Sequence, residues 1–226
     1  MEQGISQLAL ACLAFVGSHF ALSNPLRAGL TGGLGQRGFL ALYSMVAIVT
    51  LGWVIVAFGG ADRGAPLWDG TGPLPWTLAS VLTCVAMVLI VASFGGNPAL
   101  PGANLAGLSA RRPWGVFLIT RHPMMIGIAL WAAGHIIAAP TQRIALMCLS
   151  FIVLALAGSA LQDRRKRALD RREWSAWMAR TSFVPDLAQW RALGGAWPVG
   201  IAAWLILTAA HLYFAGVPAG VWVLVR

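Results

Sequence analysis

Charged residues are scarce in this sequence. They make up 10% of the 226 residues, whereas hydrophobic residues make up 58%. So many apolar side chains cannot all be hidden inside one soluble core, and lipid must therefore form part of the protein's solvent. The net charge of +9 is explained by the basic loops that membrane proteins carry on one side. We expect the lipid bilayer as a partner, and no nucleic acid.

The residue patterns that serve many hydrolases and transferases are also absent. Only seven residues are acidic, and none of them lies in a long apolar stretch. The sequence has no GxSxG, no P-loop and no GxGxxG followed by a suitable acidic partner. Hydrolysis, phosphoryl transfer and dinucleotide chemistry are therefore disfavoured.

Cysteine is equally rare. Cys12, Cys84 and Cys148 lie far apart, each within an apolar stretch. Neither a disulfide framework nor a CxxC metal or redox site has this spacing. We interpret all three as small buried side chains.

What the sequence has instead is six apolar stretches without charge. Each is close to the ~20 residues with which a helix crosses a ~30 Å hydrocarbon layer. They cover residues 5–23, 38–58, 74–94, 123–139, 144–162 and 194–216. The sequence therefore predicts an all-α fold, a polytopic membrane helix bundle of about six transmembrane helices.

Most basic residues fall on one side of this bundle. The first loop holds two, the third holds three and residues 164–191 hold eight, so 13 of the 16 lie together. Arg63, Arg143 and Arg226 lie on the other side. Because cytoplasmic loops carry the excess of Lys and Arg, we expect a multi-pass protein of the bacterial inner membrane with both termini in the periplasm.

Two connecting segments stand out by composition. The glycine-rich residues 29–35 predict a flexible or tightly turned loop before the second span. Residues 163–190 mix charges with Trp174, Trp177 and Trp190, which predicts an amphipathic segment on the inner leaflet with its tryptophans at the interface. We place this segment in a first domain, residues 1–190, and the last helix and tail in residues 191–226.

Four histidines are the ionisable residues within or beside the spans, where such groups are costly and often functional. They are His19 in the first span, His122 and His135 in the fourth and His211 in the sixth. A neutral imidazole can bind haem iron through one nitrogen while the other donates to a carbonyl. A histidine that is hydrogen-bonded between helices is the structural alternative, and the residues alone leave both open.

Arg121 and His122 stand immediately before Pro123. Proline suits the first turn of a helix and favours an extended residue before it. We therefore expect Arg121 and His122 to be displayed at the helix start, where they could bind an anion.

A series of separated motifs covers about residues 5–190. It comprises Ser18-His19-Phe20, Arg37-Gly38-Phe39 with Leu42-Tyr43-Ser44, Pro66-Leu67-Trp68-Asp69, Asn97-Pro98, Ile119-Thr120-Arg121-His122-Pro123-Met124, Leu130-Trp131-Ala132 through Gly134-His135, and Gln162-Asp163-Arg164-Arg165-Lys166. In this order, the motifs resemble the NnrU family.

That resemblance implies a haem protein. The family includes the zeta-carotene isomerase of plants and cyanobacteria, a membrane enzyme whose reduced b-type haem shifts a cis double bond in a polyene. Bacterial NnrU is associated with nitrite and nitric oxide metabolism. By resemblance, His19 and His135 match the axial haem ligands, and His122 matches a further family histidine.

From the resemblance we expect haem b and a lipophilic small-molecule substrate. If the protein is an enzyme, a redox-dependent cis–trans isomerase is the first expectation, with His19, His135, His122 and Arg121 as catalytic residues. A non-enzymatic factor in denitrification is a further alternative.

A more distant resemblance is to isoprenylcysteine carboxyl methyltransferases and phospholipid methyltransferases. It rests on residues 121–123, Glu173-Trp174 and residues 183–185. It implies S-adenosylmethionine as an alternative cofactor, with methyl transfer near Arg121 and His122. The paired glutamates of those enzymes are absent here.

Helix geometry conflicts with the pairing of His19 and His135. At a rise of 1.5 Å per residue, His19 lies ~21 Å from the periplasmic end of its span, but His135 and His211 each lie only ~6 Å from theirs. Depth thus pairs His135 with His211, and His19 with His122. We keep His19 and His135 as the leading pair, because the resemblance assigns these positions, and His211 as the competing ligand.

Overall fold

The computed structural model describes residues 2–225 and is built of helices and turns. Within that range it has no strand, only an isolated bridge between Pro66 and Thr141. The helices are α1 (Glu2–Ser23), α2 (Arg27–Gly60), α3 (Pro73–Ala92), α4 (Pro123–Ala138), α5 (Gln142–Leu169), α6 (Arg171–Met178) and α7 (Ala196–Ala215), with short 3₁₀ helices at Gly115–Leu118, Leu187–Leu193 and Gly220–Val225.

The predicted membrane bundle is confirmed. Helices α1, α2, α3, α5 and α7 are long and apolar enough to cross a membrane, and α4 is a shorter apolar helix of 16 residues. Each of the six predicted spans coincides with one of these helices. The chain is therefore a multi-pass membrane protein whose outer side chains face lipid.

Two helices extend beyond the apolar stretches that predict them. Helix α2 begins at Arg27, so the prediction of a loop at residues 29–35 is wrong. The exception is Gly35, whose φ of 69° interrupts the helix. Helix α5 continues past Gln162 to Leu169, because Arg, Lys, Leu and Ala are good helix formers. It ends at Asp170, which accepts a hydrogen bond from Glu173 N and so caps α6.

Small residues allow close packing around α3, which contacts both α4 and α7. A Cβ atom added at Gly127 or Gly134 of α4 would meet α3 atoms at 2.7 Å and 2.9 Å, and one added at Gly200 of α7 would lie 2.5 Å from Val88 Cα. Association of membrane helices depends on such contacts, because lipid is as apolar as the helix surfaces.

The connecting segments gather at two opposite ends of the bundle. At one end, Lys166 Nζ donates to the carbonyls of Pro98 and Leu100. At the other end, Leu67 N donates to Pro140 O and Arg143 donates to Ala61 O. The loops therefore alternate as expected for consecutive membrane crossings. Arg226, which the sequence places at the second end, lies outside the described residues.

The tryptophans of the amphipathic segment are not all where we expected them. Trp190 is exposed, but Trp174 and Trp177 of α6 are fully buried. Their rings pack against Phe117 and other core residues beside the 3₁₀ helix Gly115–Leu118. The expectation that these two side chains lie at the lipid interface is therefore wrong, because α6 turns its apolar face inward to cover the end of the bundle.

Candidate functional site

A cavity of about 510 Å³ lies between α1, α2, α4 and α5. This volume is typical of small-molecule and cofactor sites. The walls are mainly apolar. The lining residues that matter below are His19, Tyr43, Trp131 and Phe151 in the apolar part and Asn24, Arg27, Gln162 and Arg165 as the polar groups.

His19 forms part of the wall of this cavity. Its Nδ1 is 2.7 Å from the carbonyl oxygen of Phe15, one helical turn earlier. Because a carbonyl only accepts, Nδ1 carries the proton and donates it, which leaves the lone pair of Nε2 available. The ring also contacts the rings of Phe15 and Tyr43, with centroids 4.4 Å and 5.4 Å apart. These contacts orient the imidazole as second-shell groups orient a metal ligand.

His135 and His211 are close to each other, as helix depth predicts. Their ring centroids lie 6.5 Å apart. His135 Nδ1 donates to Trp131 O at 2.8 Å, and His211 Nδ1 donates to Val217 O at 3.1 Å. Both Nε2 atoms are thus left with a lone pair. His211 is exposed, and neither residue lines the cavity.

His19 and His135 are not in contact. A row of aromatic rings connects them, in the order His19, Phe15, Phe151, Trp131 and His135, with successive centroids 4.4, 5.6, 6.1 and 4.3 Å apart. Trp131 lies between the cavity and His135. The structure therefore places the two expected haem ligands on either side of an aromatic barrier.

Arg121 and His122 belong to a separate, buried polar cluster. Asp163 of α5 accepts from Arg121 Nε at 2.9 Å and from Arg121 Nη2 at 2.8 Å. The other oxygen of Asp163 is 2.9 Å from His122 Nε2 and accepts from Trp174 Nε1 at 3.2 Å. Arg121 also donates to Thr181 O. The cluster fastens the start of α4 to α5 and to the segment after α6.

The expected display of Arg121 and His122 to an external anion is wrong. Their exposed fractions are 7% and 1%, and neither lines the cavity. The anion that they bind is the carboxylate of Asp163 in the same chain. His122 Nδ1 is buried and has no hydrogen-bond partner within residues 2–225.

Several residues of the cavity received no role from the sequence. Tyr43 and Trp131 lie within family-like motifs, but only the folded chain shows that they contact His19 and His135. Arg27 and Arg165 are more than 130 positions apart along the chain. Basic residues are common in and beside the cytoplasmic loops of membrane proteins. Arg165 lies in the family-like motif of residues 162–166 and Arg27 in none, and nothing in the sequence predicts that the two line one cavity.

The part of the chain that the structure describes does not support a metal site made of several protein side chains. Residues 2–225 contain no group of three or more His, Cys, Asp or Glu side chains suited to an ion. Cys12, Cys84 and Cys148 are free, and Cys12 and Cys148 are buried.

Comparison with known proteins yields one match. A family model described as NnrU protein matches residues 7–219. The match includes α7 and so spans both parts into which the sequence was divided. No curated protein and no solved structure matches the chain.

Proposed function

The chain belongs to the NnrU family, and from this premise we propose that it is a membrane protein that binds b-type haem in the cavity between α1, α2, α4 and α5. His19 would bind the haem iron in this proposal. The observation that carries it is the free Nε2 of His19 in the wall of an apolar cavity of about 510 Å³.

The residues present are suited to haem. The porphyrin needs an apolar cavity, and Phe15, Tyr43, Trp131 and Phe151 supply aromatic walls. The iron needs a neutral imidazole whose other nitrogen is held by a hydrogen bond, which Phe15 O provides for His19. Arg27 and Arg165 are present for the acidic groups of the cofactor.

His19 is the one histidine of the four that lines this cavity. The family resemblance suggests His135 as a second ligand, but Trp131 separates it from the cavity. Bound ferrous haem would supply a Lewis-acidic iron for a diatomic gas or for a double bond.

An isomerase acting on a lipophilic polyene is the enzyme activity that we propose for such a site. The chain contributes an apolar environment, so a hydrocarbon substrate needs no polar recognition group. His19 holds the iron, and the ring of Tyr43 fixes the imidazole. Trp131 lines the cavity and its ring contacts His135, so it would keep that imidazole away from a haem bound there.

The two other functions suggested by resemblance have less support. For an S-adenosylmethionine-dependent methyltransferase, Arg121 and His122 would have to face a ligand, but they are hydrogen-bonded to Asp163 and buried. A non-enzymatic role in denitrification stays a prediction, since it requires no particular site.

The test is the absorption spectrum of protein expressed with a haem supply and purified in detergent. We expect a Soret band for the unaltered chain, loss of the band in His19→Ala and its retention in His211→Ala. Absence of the band from the unaltered protein would refute the proposal. A band retained in His19→Ala but lost in His211→Ala would move the haem to the His135–His211 pair.

A further inference from the structure

Two arginines, Arg27 and Arg165, lie in the wall of the cavity. Arg27 is the first residue of α2, Arg165 lies near the end of α5, and both line the cavity. Within the described residues neither forms an ion pair, whereas Asp163 pairs there with Arg121 and His122. Arg27 instead lies over the buried ring of Phe39, with its guanidinium carbon 4.5 Å from the ring centroid.

The position of these arginines is costly for a chain without a ligand. The two positive charges line the same cavity, and Arg165 Nε is buried without a hydrogen-bond partner among the described residues. Unpaired buried polar groups cost free energy, and like charges in a low-dielectric site repel. An anion bound between the guanidinium groups would pair the buried polar group and reduce the repulsion between the two charges.

The rest of the cavity determines which kind of anion fits. The lining also includes the amide side chains of Asn24 and Gln162, and most of the remaining wall is apolar. A small inorganic ion would satisfy the arginines but leave the apolar part empty. A molecule with an anionic head and an apolar body matches both parts.

We infer that Arg27 and Arg165 bind the carboxylate or phosphate head of an amphiphile whose apolar body occupies the cavity. Arginine suits such a head because its planar group donates two parallel hydrogen bonds to one carboxylate. Where the amphiphile is haem, the heads are its propionates and the inference rests on the proposed function. Where the amphiphile is a fatty acid or an anionic lipid, the inference does not depend on the proposed function.

The first arm of the test compares haem with its uncharged dimethyl ester, titrated by absorbance into protein in an uncharged detergent. We expect Arg27→Gln and Arg165→Gln each to weaken haem binding by about 10- to 100-fold, the worth of one hydrogen bond to a charged group. Binding of the ester stays unchanged. The matched control is Arg37→Gln, because Arg37 is exposed and outside the cavity lining.

The second arm uses cis-parinaric acid, a fluorescent fatty acid, and its methyl ester. We expect the acid to bind more tightly than the ester to the unaltered protein and to lose that advantage in both glutamine variants. Arg27→Lys and Arg165→Lys keep the positive charge, so these variants should retain part of the preference for the acid over the ester. Thermal unfolding of each variant verifies that it is folded.

The two arms separate the two claims. Haem binding that does not depend on Arg27 or Arg165, with no preference for acid over ester, overturns the inference and leaves the proposed function intact. Binding of parinaric acid that depends on the arginines, in a protein that never binds haem, supports the inference and refutes the proposed function. Equal losses for acid and ester in the variants also overturn the inference.

Discussion

Asp163 of α5 holds together three side chains from two other parts of the chain, the start of α4 and α6. It accepts hydrogen bonds from Arg121 and Trp174 and pairs with His122. Because the carboxylate is buried, its removal would leave the charge of Arg121 without a counter-ion. The cluster is a structural joint, and this explains why Arg121 and His122 are buried rather than displayed.

We expect Asp163→Ala to lower the free energy of unfolding by about 3–5 kcal/mol, which is typical when one partner of a buried ion pair is removed. Denaturant unfolding in detergent measures the loss. Arg164→Gln, at the exposed neighbouring position, should change the free energy by less than about 0.5 kcal/mol. A loss equal to that of Arg164→Gln would show that the cluster does not stabilise the fold.

Glu173 is predicted to make one loop contact sensitive to pH. Hydrogen bonds from the backbone N–H and the hydroxyl of Ser109 hold the pKa of the Glu173 carboxyl below its usual range. With a lowered folded pKa, the contact is fully present above the ordinary pKa of about 4.3 and is lost as pH falls through the lowered value.

Amide hydrogen exchange of the segment that contains Ser109 measures this effect. After correction for intrinsic exchange, protection should be higher at pH 5 than at pH 3 in the unaltered protein. Glu173→Gln should reduce the difference, because the amide does not titrate. The same difference in both proteins would contradict the assignment to Glu173.

Individual residue types were foreseeable as candidates, but their partners were not. The cost of ionisable groups in lipid singles out the histidines, and Pro123 correctly predicts the start of α4. That Asp163 binds Arg121 depends on how α5 lies against α4, which no sequence spacing gives. The contact of Tyr43 with His19 likewise depends on how α2 lies against α1.

The helices that follow their apolar stretches closely are α1, α3, α4 and α7, with α4 the closest. In α2 and α5 the apolar stretch marks only the membrane-crossing part, and the helix continues into polar sequence because its backbone hydrogen bonds still need partners. Hydropathy therefore predicts spans well and helix ends less well.

Close contact between α3 and α4 gives a prediction at this scale. A Cβ at Gly127 would lie 2.7 Å from Ile90 Cγ1 and 2.8 Å from the backbone oxygen of Ala86. Since backbone cannot move away cheaply, Gly127→Ala should destabilise the protein by about 1–3 kcal/mol. Thermal unfolding in detergent measures the change.

Gly17→Ala is the control for Gly127→Ala. Gly17 is an exposed residue of α1, and a Cβ there meets nothing within 4 Å. Because alanine favours helix over glycine by up to about 1 kcal/mol, this variant should be neutral or stabilised. Equal destabilisation by both substitutions would show that helix contact is not the cause.

For the whole molecule, the bundle and the alternation of its loops followed from composition and charge. The cavity did not, because it arises from the combined surfaces of four helices that are separated along the chain. Helix depth correctly predicted that His135 lies near His211 rather than His19, since depth depends only on the number of residues from the helix end.

The orientation in the membrane is still a prediction, with the basic end in the cytoplasm and both termini in the periplasm. Single cysteines at Ala65, Ala110 or Gln189, which are exposed, test it in a chain whose three native cysteines are replaced by alanine. A membrane-impermeant maleimide added to intact spheroplasts should label Ala65→Cys alone. Labelling of the other two cysteines instead would show that the protein has the opposite orientation.

The central claim is that haem occupies the cavity between α1, α2, α4 and α5 with His19 as its ligand. Anomalous diffraction at the iron absorption edge, from crystals of haem-loaded protein, locates the metal directly. We predict one iron peak in the cavity, within bonding distance of His19 Nε2. A peak between His135 and His211, with none beside His19, would contradict the account.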